Sequence, residues 1–296
     1  VNDGANAASQ KKPDGALGRN VSVRRSAGPR PFVKWVGGKG QLLGHLLSKS
    51  PQNYGRYFEP FLGGGAFFFG LRPAKASLSD MNAELINTYR VVRDSVEELI
   101  VELERHRYDE SYYYAIRDWD RSLDYSDRSP VARAGRFIYL NKTGFNGLHR
   151  VNSKGHFNVP FGTYKNPTIL DAANLRRCSA ALAGVEIDVA GYSSVEAKVE
   201  AGDFIYFDPP YAPLTATANF TSYTAHGFDR VEQENLRDLC IRLDRRGVRF
   251  IVSNSSAPLI LNLYAQFRLE LVDARRFVNS QALGRGPVKE VIATNF

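Results

Sequence analysis

Cysteine is scarce in this chain. Cys178 and Cys240 are far apart, and each falls in an apolar pattern of helical spacing. They read as core thiols, which leaves no disulfide framework and no cysteine metal site. His45, His106, His149, His156 and His226 share no metal-ligand spacing, so no metal is expected. No run reaches 18 apolar residues, which argues against a membrane span. The first residues lack the apolar stretch of a signal peptide, so a cytoplasmic protein is expected. No internal repeat is found.

What is present is ample core material. The 296 residues are 43% apolar and 12% aromatic, enough for one large domain or two small ones. The net charge is +8, and half of it lies in residues 1–30, which hold six Lys/Arg and two Asp. That segment is rich in Gly, Ala, Ser, Asn and Arg without apolar periodicity. It reads as a disordered basic arm, either passive or touching a polyanion. The basic body suits a polyanionic partner without demanding one.

Asp208-Pro209-Pro210-Tyr211 is the most constrained stretch. It follows Phe204-Ile205-Tyr206-Phe207, which reads as a buried strand. Neither proline can donate to a ladder, so the strand stops at Asp208. The carboxylate then sits at the carboxyl end of a strand, where open α/β sheets bind ligands. The alternative is a plain strand-ending turn with a solvated Asp.

Along the chain, Phe32-Val33-Lys34-Trp35-Val36-Gly37-Gly38-Lys39 opens the ordered part, followed by a helix from Gln41 to about Ser48. Tyr57–Phe61 reads as a strand, and Leu62-Gly63-Gly64-Gly65-Ala66 as a glycine turn into a helix. A second strand begins at Lys75 and ends at Asp80. An acid there either holds a ribose diol or caps the next helix. Leu85 to Leu103 repeat at helical spacing. Tyr112 to Trp119 suggest another helix, and Ser129-Pro130 opens a third. Residues 141–166 interleave Gly, amides, basic residues, Phe145 and Leu148, and read as a basic hairpin whose return strand is 156–162. His149 within it reads as a solvated side chain. A helix through Leu175, Cys178 and Leu182 ends at Gly184. Strands follow at 185–189, 204–208 and 248–253, with Asp229 and Glu232 starting the helix that precedes the last. Phe267–Val272 and Val288–Thr294 read as a closing antiparallel pair.

The glycine loop, Asp80 and the Asp-Pro-Pro-Tyr turn converge on one sheet edge. The first two suit a nucleoside cofactor. The third offers two acceptors beside a ring, which suits a flat amine such as the exocyclic amine of a base. Such a base must leave the duplex stack to be reached.

Phe32 to Lys39, Glu59 to Gly65 (Glu-Pro-Phe-Leu-Gly-Gly-Gly), Leu140-Asn141 through Pro167 and Asp208 to Tyr223 together resemble the Dam-type, D12-class DNA adenine-N6 methyltransferases. The likeness spans about residues 31–296. It implies a Rossmann-like seven-stranded methyltransferase sheet with a helical recognition insertion bearing a β-hairpin. The implied organisation is an arm over 1–30, a catalytic domain from 31–81 and 179–296, and an insertion over 82–178 with its hairpin at about 141–166. The implied donor is S-adenosyl-L-methionine, leaving S-adenosyl-L-homocysteine, with no metal. Trp35, Lys39, Phe61, Gly63, Gly65, Asp80 and Asp208 would hold the donor. Asp208 and Pro209 would accept the N6 hydrogens, and Tyr211 would stack on the adenine. Lys34, Phe145, Asn146, Leu148, Arg150 and Pro160 would read DNA, with GATC as target. Residues 212–223, with Asn219 and Tyr223, would order over a flipped base. The implied partner is double-stranded DNA, bound by a monomer associated with the nucleoid. A cognate restriction endonuclease is a genetic partner the sequence leaves open.

Individual residues keep their plainer readings at this point. Trp35 could be ordinary core, Phe145 could pack inside the hairpin, and Arg150 could hold phosphate. Two rival functions also stand: a methyltransferase acting on cytosine N4, and a catalytically silent DNA-binding regulator on the same fold.

Overall fold

The computed structural model describes residues 1, 28–40, 42–214, 228–275 and 287–296. Expectations for residues 2–27 of the basic arm and for Asn219 and Tyr223 therefore lie outside the described residues. In chain order the strands are β1 (Tyr57–Glu59), β2 (Ala76–Asp80), β3 (Glu186–Val189), β4 (Phe204–Phe207), β5 (Arg249–Ser255), β6 (Arg268–Arg275) and β7 (Pro287–Thr294). They form one seven-stranded sheet of order β3-β2-β1-β4-β5-β7-β6. The first five strands are parallel, and β7 inserts antiparallel between β5 and β6. The strand order reverses between β1 and β4, which leaves a crevice at their carboxyl ends.

Helices cover both faces of the central strands, which is why β4 and Phe250–Val252 of β5 read as apolar runs and not as an alternation. Tyr57, Phe204, Tyr206, Ile251 and Ile292 face one core with α1 (Leu43–Lys49), α2 (Ala66–Leu71) and α3 (Ala83–Asp94). Their neighbours Phe58, Ile205, Phe207, Phe250, Val252 and Val291 face a second core. Between β2 and β3 the chain adds α4 (Val96–Glu104), α5 (Glu110–Arg117), α6 (Pro130–Thr143) and α7 (Ala172–Leu182). The second core is closed by α8 (Arg230–Arg245) and α9 (Pro258–Leu263). Cys178 and Cys240 are buried and unpaired, as core thiols. Among the described residues no helix is long and apolar enough to cross a membrane.

The caps follow the sequence. Ser129 Oγ accepts from Ala132 N–H at the start of α6, and Asp229 Oδ1 accepts from Glu232 N–H at the start of α8. Four expectations need correction. β1 ends at Glu59, because Pro60 has no N–H to continue a ladder. The helical pattern from Leu85 to Leu103 breaks at Ser95 (φ −141°) into α3 and α4. Residues 144–161 carry isolated antiparallel bridges, Gly144 with Phe161 and Val151 with Phe157, and not regular strands. Arg30, assigned to the arm, is fixed: its N–H donates to Asn174 Oδ1 and its guanidinium pairs with Asp171 at 2.6 Å.

Candidate active site

Phe204–Phe207 are fully buried, so β4 delivers Asp208 to the crevice on a rigid strand. Its carboxylate meets two groups. Lys39 Nζ lies 2.7 Å from Oδ1, and Ser253 Oγ donates to the same oxygen at 2.8 Å. A carboxylate only accepts, so the Ser253 oxygen is left to accept from Tyr206 O–H at 2.9 Å. Lys39 also donates to Gly37 O at 2.6 Å and lies 4.7 Å from the Tyr211 ring centroid. One buried lysine therefore joins the Gly37-Gly38 turn to both ends of the Asp-Pro-Pro-Tyr turn.

The turn itself is braced from behind. Gln233 Nε2 donates to Pro210 O at 2.9 Å, and Asn254 Nδ2 donates to Gln233 Oε1 at 3.0 Å. Asn254 Oδ1 accepts from Ala212 N–H, Ser255 Oγ donates to Ala212 O, and Tyr211 O–H donates to Glu290 Oε2. Each backbone group so held is one fewer freedom at the turn. Sequence reasoning missed Gln233, Ser253, Asn254, Ser255 and Glu290. The available signal was a Ser-Asn-Ser run closing an otherwise apolar strand beside β4.

The glycine loop is shaped by its neighbours. Gly63 (φ 46°) and Gly65 (φ 66°) are left-handed. A Cβ at Gly63 would lie 2.6 Å from Trp35 Cδ1, and one at Gly65 would lie 2.7 Å from the Tyr89 hydroxyl. Tyr89 O–H donates to Gly63 O at 3.1 Å. Asp80, at the tip of β2, accepts from Gly63 N–H at 3.0 Å and from Asn82 N–H at 2.9 Å. It braces the loop and leaves the cap of α3 to Asn82, whose Oδ1 accepts from Leu85 N–H. Phe61 stacks on Tyr192 at 5.4 Å beside this loop.

Of the hairpin residues, Phe145, Asn146, Arg150 and Pro160 are exposed. Phe145 is 49% exposed, so it is not packed inside the hairpin. Its N–H donates to Pro160 O, and Asn146 takes a left-handed φ of 53°. Arg150 is exposed, and its Nε donates to Asn158 Oδ1 at 2.7 Å across the hairpin. Leu148 is partly buried against a small cluster containing Tyr113, Tyr139 and Phe157. The Lys34 ammonium lies 4.6 Å from the Tyr164 ring centroid. Asn141 clamps the Lys34 backbone: Oδ1 accepts its N–H, while Nδ2 donates to Lys34 O and to Gly147 O.

His149 overturns its sequence reading. It is not solvated but stacked on Trp35 (5.6 Å, 25°) and packed on Phe137 (5.2 Å) and Phe157 (5.7 Å). Burial pulls it down to about 4, so it is neutral at physiological pH. Burial also pushes Glu59 up to about 8. The nearby Asp208 charge adds to this, and donation from Tyr57 O–H at 2.6 Å opposes it. Glu59 was quoted in the motif but given no role. The structure buries it at the end of β1.

The chain is similar to known proteins over most of its length. The model of D12 class N6 adenine-specific DNA methyltransferase matches residues 35–278. Type II methyltransferase M1.LlaDCHI of Lactococcus lactis subsp. cremoris is 44% identical over 94% of this chain and 99% of its own length. Type II methyltransferase M.MjaIII of Methanocaldococcus jannaschii is 40% identical over 84% and 93%. The DNA adenine methylase of Escherichia coli K12 is 34% identical over 89% and 94%.

Proposed function

The chain belongs to the D12 class of N6 adenine-specific DNA methyltransferases, and from that premise we propose that it methylates adenine N6 in double-stranded GATC sites, taking the methyl group from S-adenosyl-L-methionine after flipping the base out of the helix. The observation that carries the reading is the Asp208 carboxylate, fixed by Ser253 and Lys39 beside the Tyr211 ring at the sheet's switch point.

The residues present suit the donor. The Asp80 carboxylate at the tip of β2 offers an acceptor to a ribose diol, and the Lys39 ammonium offers a partner to an amino-acid carboxylate. Gly63 and Gly65 let the loop pack against Trp35 and Tyr89, with Phe61 beside it. S-adenosyl-L-methionine, when bound, supplies an electrophilic sulfonium methyl and leaves as S-adenosyl-L-homocysteine.

The chain's own residues do the rest by positioning and electrostatics. The Asp208 carboxylate and the Pro209 carbonyl accept the two N6 hydrogens. That turns the amine out of conjugation and frees its lone pair. Tyr211 stacks on the ring, held in place by its hydroxyl on Glu290. Asp208 acts as an acceptor, not a strong base, since the amine becomes acidic once methylated. On the recognition side Arg150 grips a guanine O6 and N7, Phe145 wedges into the unstacked gap, and Lys34, Asn146, Leu148 and Pro160 complete the contact. The basic balance, with +8 overall, supports a DNA partner. The enzyme acts as a monomer, with residues 31–81 and 179–296 as catalytic body and 82–178 as recognition insertion. The names of two relatives are those of type II systems, which supports a cognate restriction endonuclease as genetic partner.

Two observations weigh against the rivals. A silent regulator needs neither a braced acceptor carboxylate nor a left-handed glycine loop. Cytosine N4 enzymes more usually place Ser or Asn where Asp208 stands. The test is methyl transfer from labelled donor to a GATC duplex, read by nucleoside analysis, for wild type and Asp208→Ala. Label in N6-methyladenine for wild type alone supports the reading. Label in N4-methylcytosine, or equal turnover by the variant, refutes it.

A further inference from the structure

The hairpin and the glycine loop are tied together by a side chain to which the reading above gives no task. His149 precedes the exposed Arg150, yet its own ring is packed inward. It stacks on Trp35 at 5.6 Å with planes 25° apart, and Phe137 and Phe157 close the box around it. Trp35 in turn lies directly on Gly63, so tightly that a Cβ there would overlap its ring. A second arm leaves the same imidazole. Asn82 Nδ2 is 3.4 Å from His149 Nδ1, and Asn82 N–H donates to Asp80, which accepts from Gly63 N–H. Asn82 Oδ1 is already taken by Leu85 N–H, so its amide group is the donor and His149 Nδ1 the acceptor. Both arms end on Gly63, the second by way of Asp80.

We propose that His149 is a positioning residue that couples DNA recognition to methyl-donor binding, by making the order of the Gly63–Asp80 pocket depend on the hairpin that reads DNA. The inference rests on the function proposed above. The physical basis is shared ordering. When DNA contacts fix the backbone of residues 145–150, the His149 ring loses its freedom, and Trp35 and Asn82 lose theirs with it. A donor arriving at a pocket already ordered gives up less conformational entropy and binds tighter. By linkage the donor tightens DNA binding by the same factor. A neutral, flat ring suits the task, since it packs on Trp35 without a charge to hydrate. The Asn141 clamp, joining Lys34 to Gly147, holds the two segments in register so that the stack can transmit.

The test compares the affinity of the full chain for S-adenosyl-L-homocysteine, an unreactive probe, with and without saturating GATC duplex, by calorimetry. Wild type should bind the probe about five-fold tighter or more when duplex is present. His149→Leu, which keeps the bulk and loses the flat ring, should bring that ratio close to one while still binding duplex alone. His149→Phe, which restores a stacking ring, should recover most of the ratio. A merely structural role would weaken both affinities together and leave the ratio unchanged, and that result overturns the proposal. So does a wild-type ratio of one. A wild type that binds neither probe nor duplex would instead overturn the functional reading itself, before any variant is compared.

Discussion

Replacing Ser253 by alanine tests how the acceptor carboxylate is held. Ser253 is fully buried and sits in the middle of a one-way relay, Tyr206 O–H to Ser253 O–H to Asp208. Removing its hydroxyl strands the Tyr206 hydroxyl, on a residue only 1% exposed. A buried hydroxyl without a partner costs about 1–3 kcal/mol. Asp208 loses a donor as well, but its side chain is 21% exposed and keeps Lys39, so water and the lysine recover part of that. A total near 2 kcal/mol, or roughly 3 °C in melting temperature for a chain of this size, is expected. Tyr206→Phe removes the stranded group and leaves Ser253 free to serve Asp208, so it should cost about 1 kcal/mol or less. The double variant should then be more stable than the two single losses added together. Because Asp208 is free to turn in Ser253→Ala, turnover should fall about tenfold, the equivalent of about 1.4 kcal/mol, with donor affinity little changed. Thermal melts, a denaturant titration of the four proteins and single-turnover kinetics give the readout. Strict additivity, or wild-type turnover in Ser253→Ala, would refute the relay.

Other residues make separable predictions. Arg150→Ala should relax discrimination at one guanine of the site, seen by comparing rates on duplexes with that base replaced; an equal loss on every duplex would mean a phosphate contact instead. Gly65→Ala places a Cβ against the Tyr89 hydroxyl in a left-handed backbone, so roughly 2 kcal/mol or more of stability should be lost, with donor binding, measured by melts and calorimetry. Glu59 is raised to about 8 from the usual 4.5, so the folded state keeps a proton that the unfolded state gives up. Its contribution to stability is therefore full below pH 4.5 and declines up to pH 8. Glu59→Gln should gain on wild type by up to about 1.4 kcal/mol for each pH unit crossed in that window, with no further gain above it. His106, lowered to about 4 by burial, acts with the opposite sign: stability is lost as pH falls from 6.5 towards 4, and His106→Asn should flatten that acid limb in urea titrations.

Much of the fold was legible because its signals are local. A buried four-residue run stopped by two prolines can only be a strand ending at Asp208, and Ser129 and Asp229 are caps by residue type and spacing. The same proline rule, applied at Pro60, would have ended β1 two residues earlier. The break at Ser95 was masked because the apolar spacing continues across it, although Ser95 and Glu98 stand at capping-box spacing. The acceptor turn and the glycine loop could be seen in the sequence as separate pieces, but not what joins them. Ser253 and Asn254 are polar residues inside a core strand, and their purpose depends on which strand lies next to theirs. His149 stands among polar neighbours, and its place in an aromatic box is set by Trp35 and Phe137, each distant in the chain. Lys39 had been placed near the cofactor, but its contact with Asp208 needed the sheet order to be known.

The central claim, adenine N6 methylation at GATC, is tested most directly by expressing the chain in a host that lacks other adenine methylation and sequencing its genome for modified bases. The account predicts N6-methyladenine on both strands of GATC and its disappearance with Asp208→Ala. Modification at cytosine, or at adenines in an unrelated sequence, would contradict it.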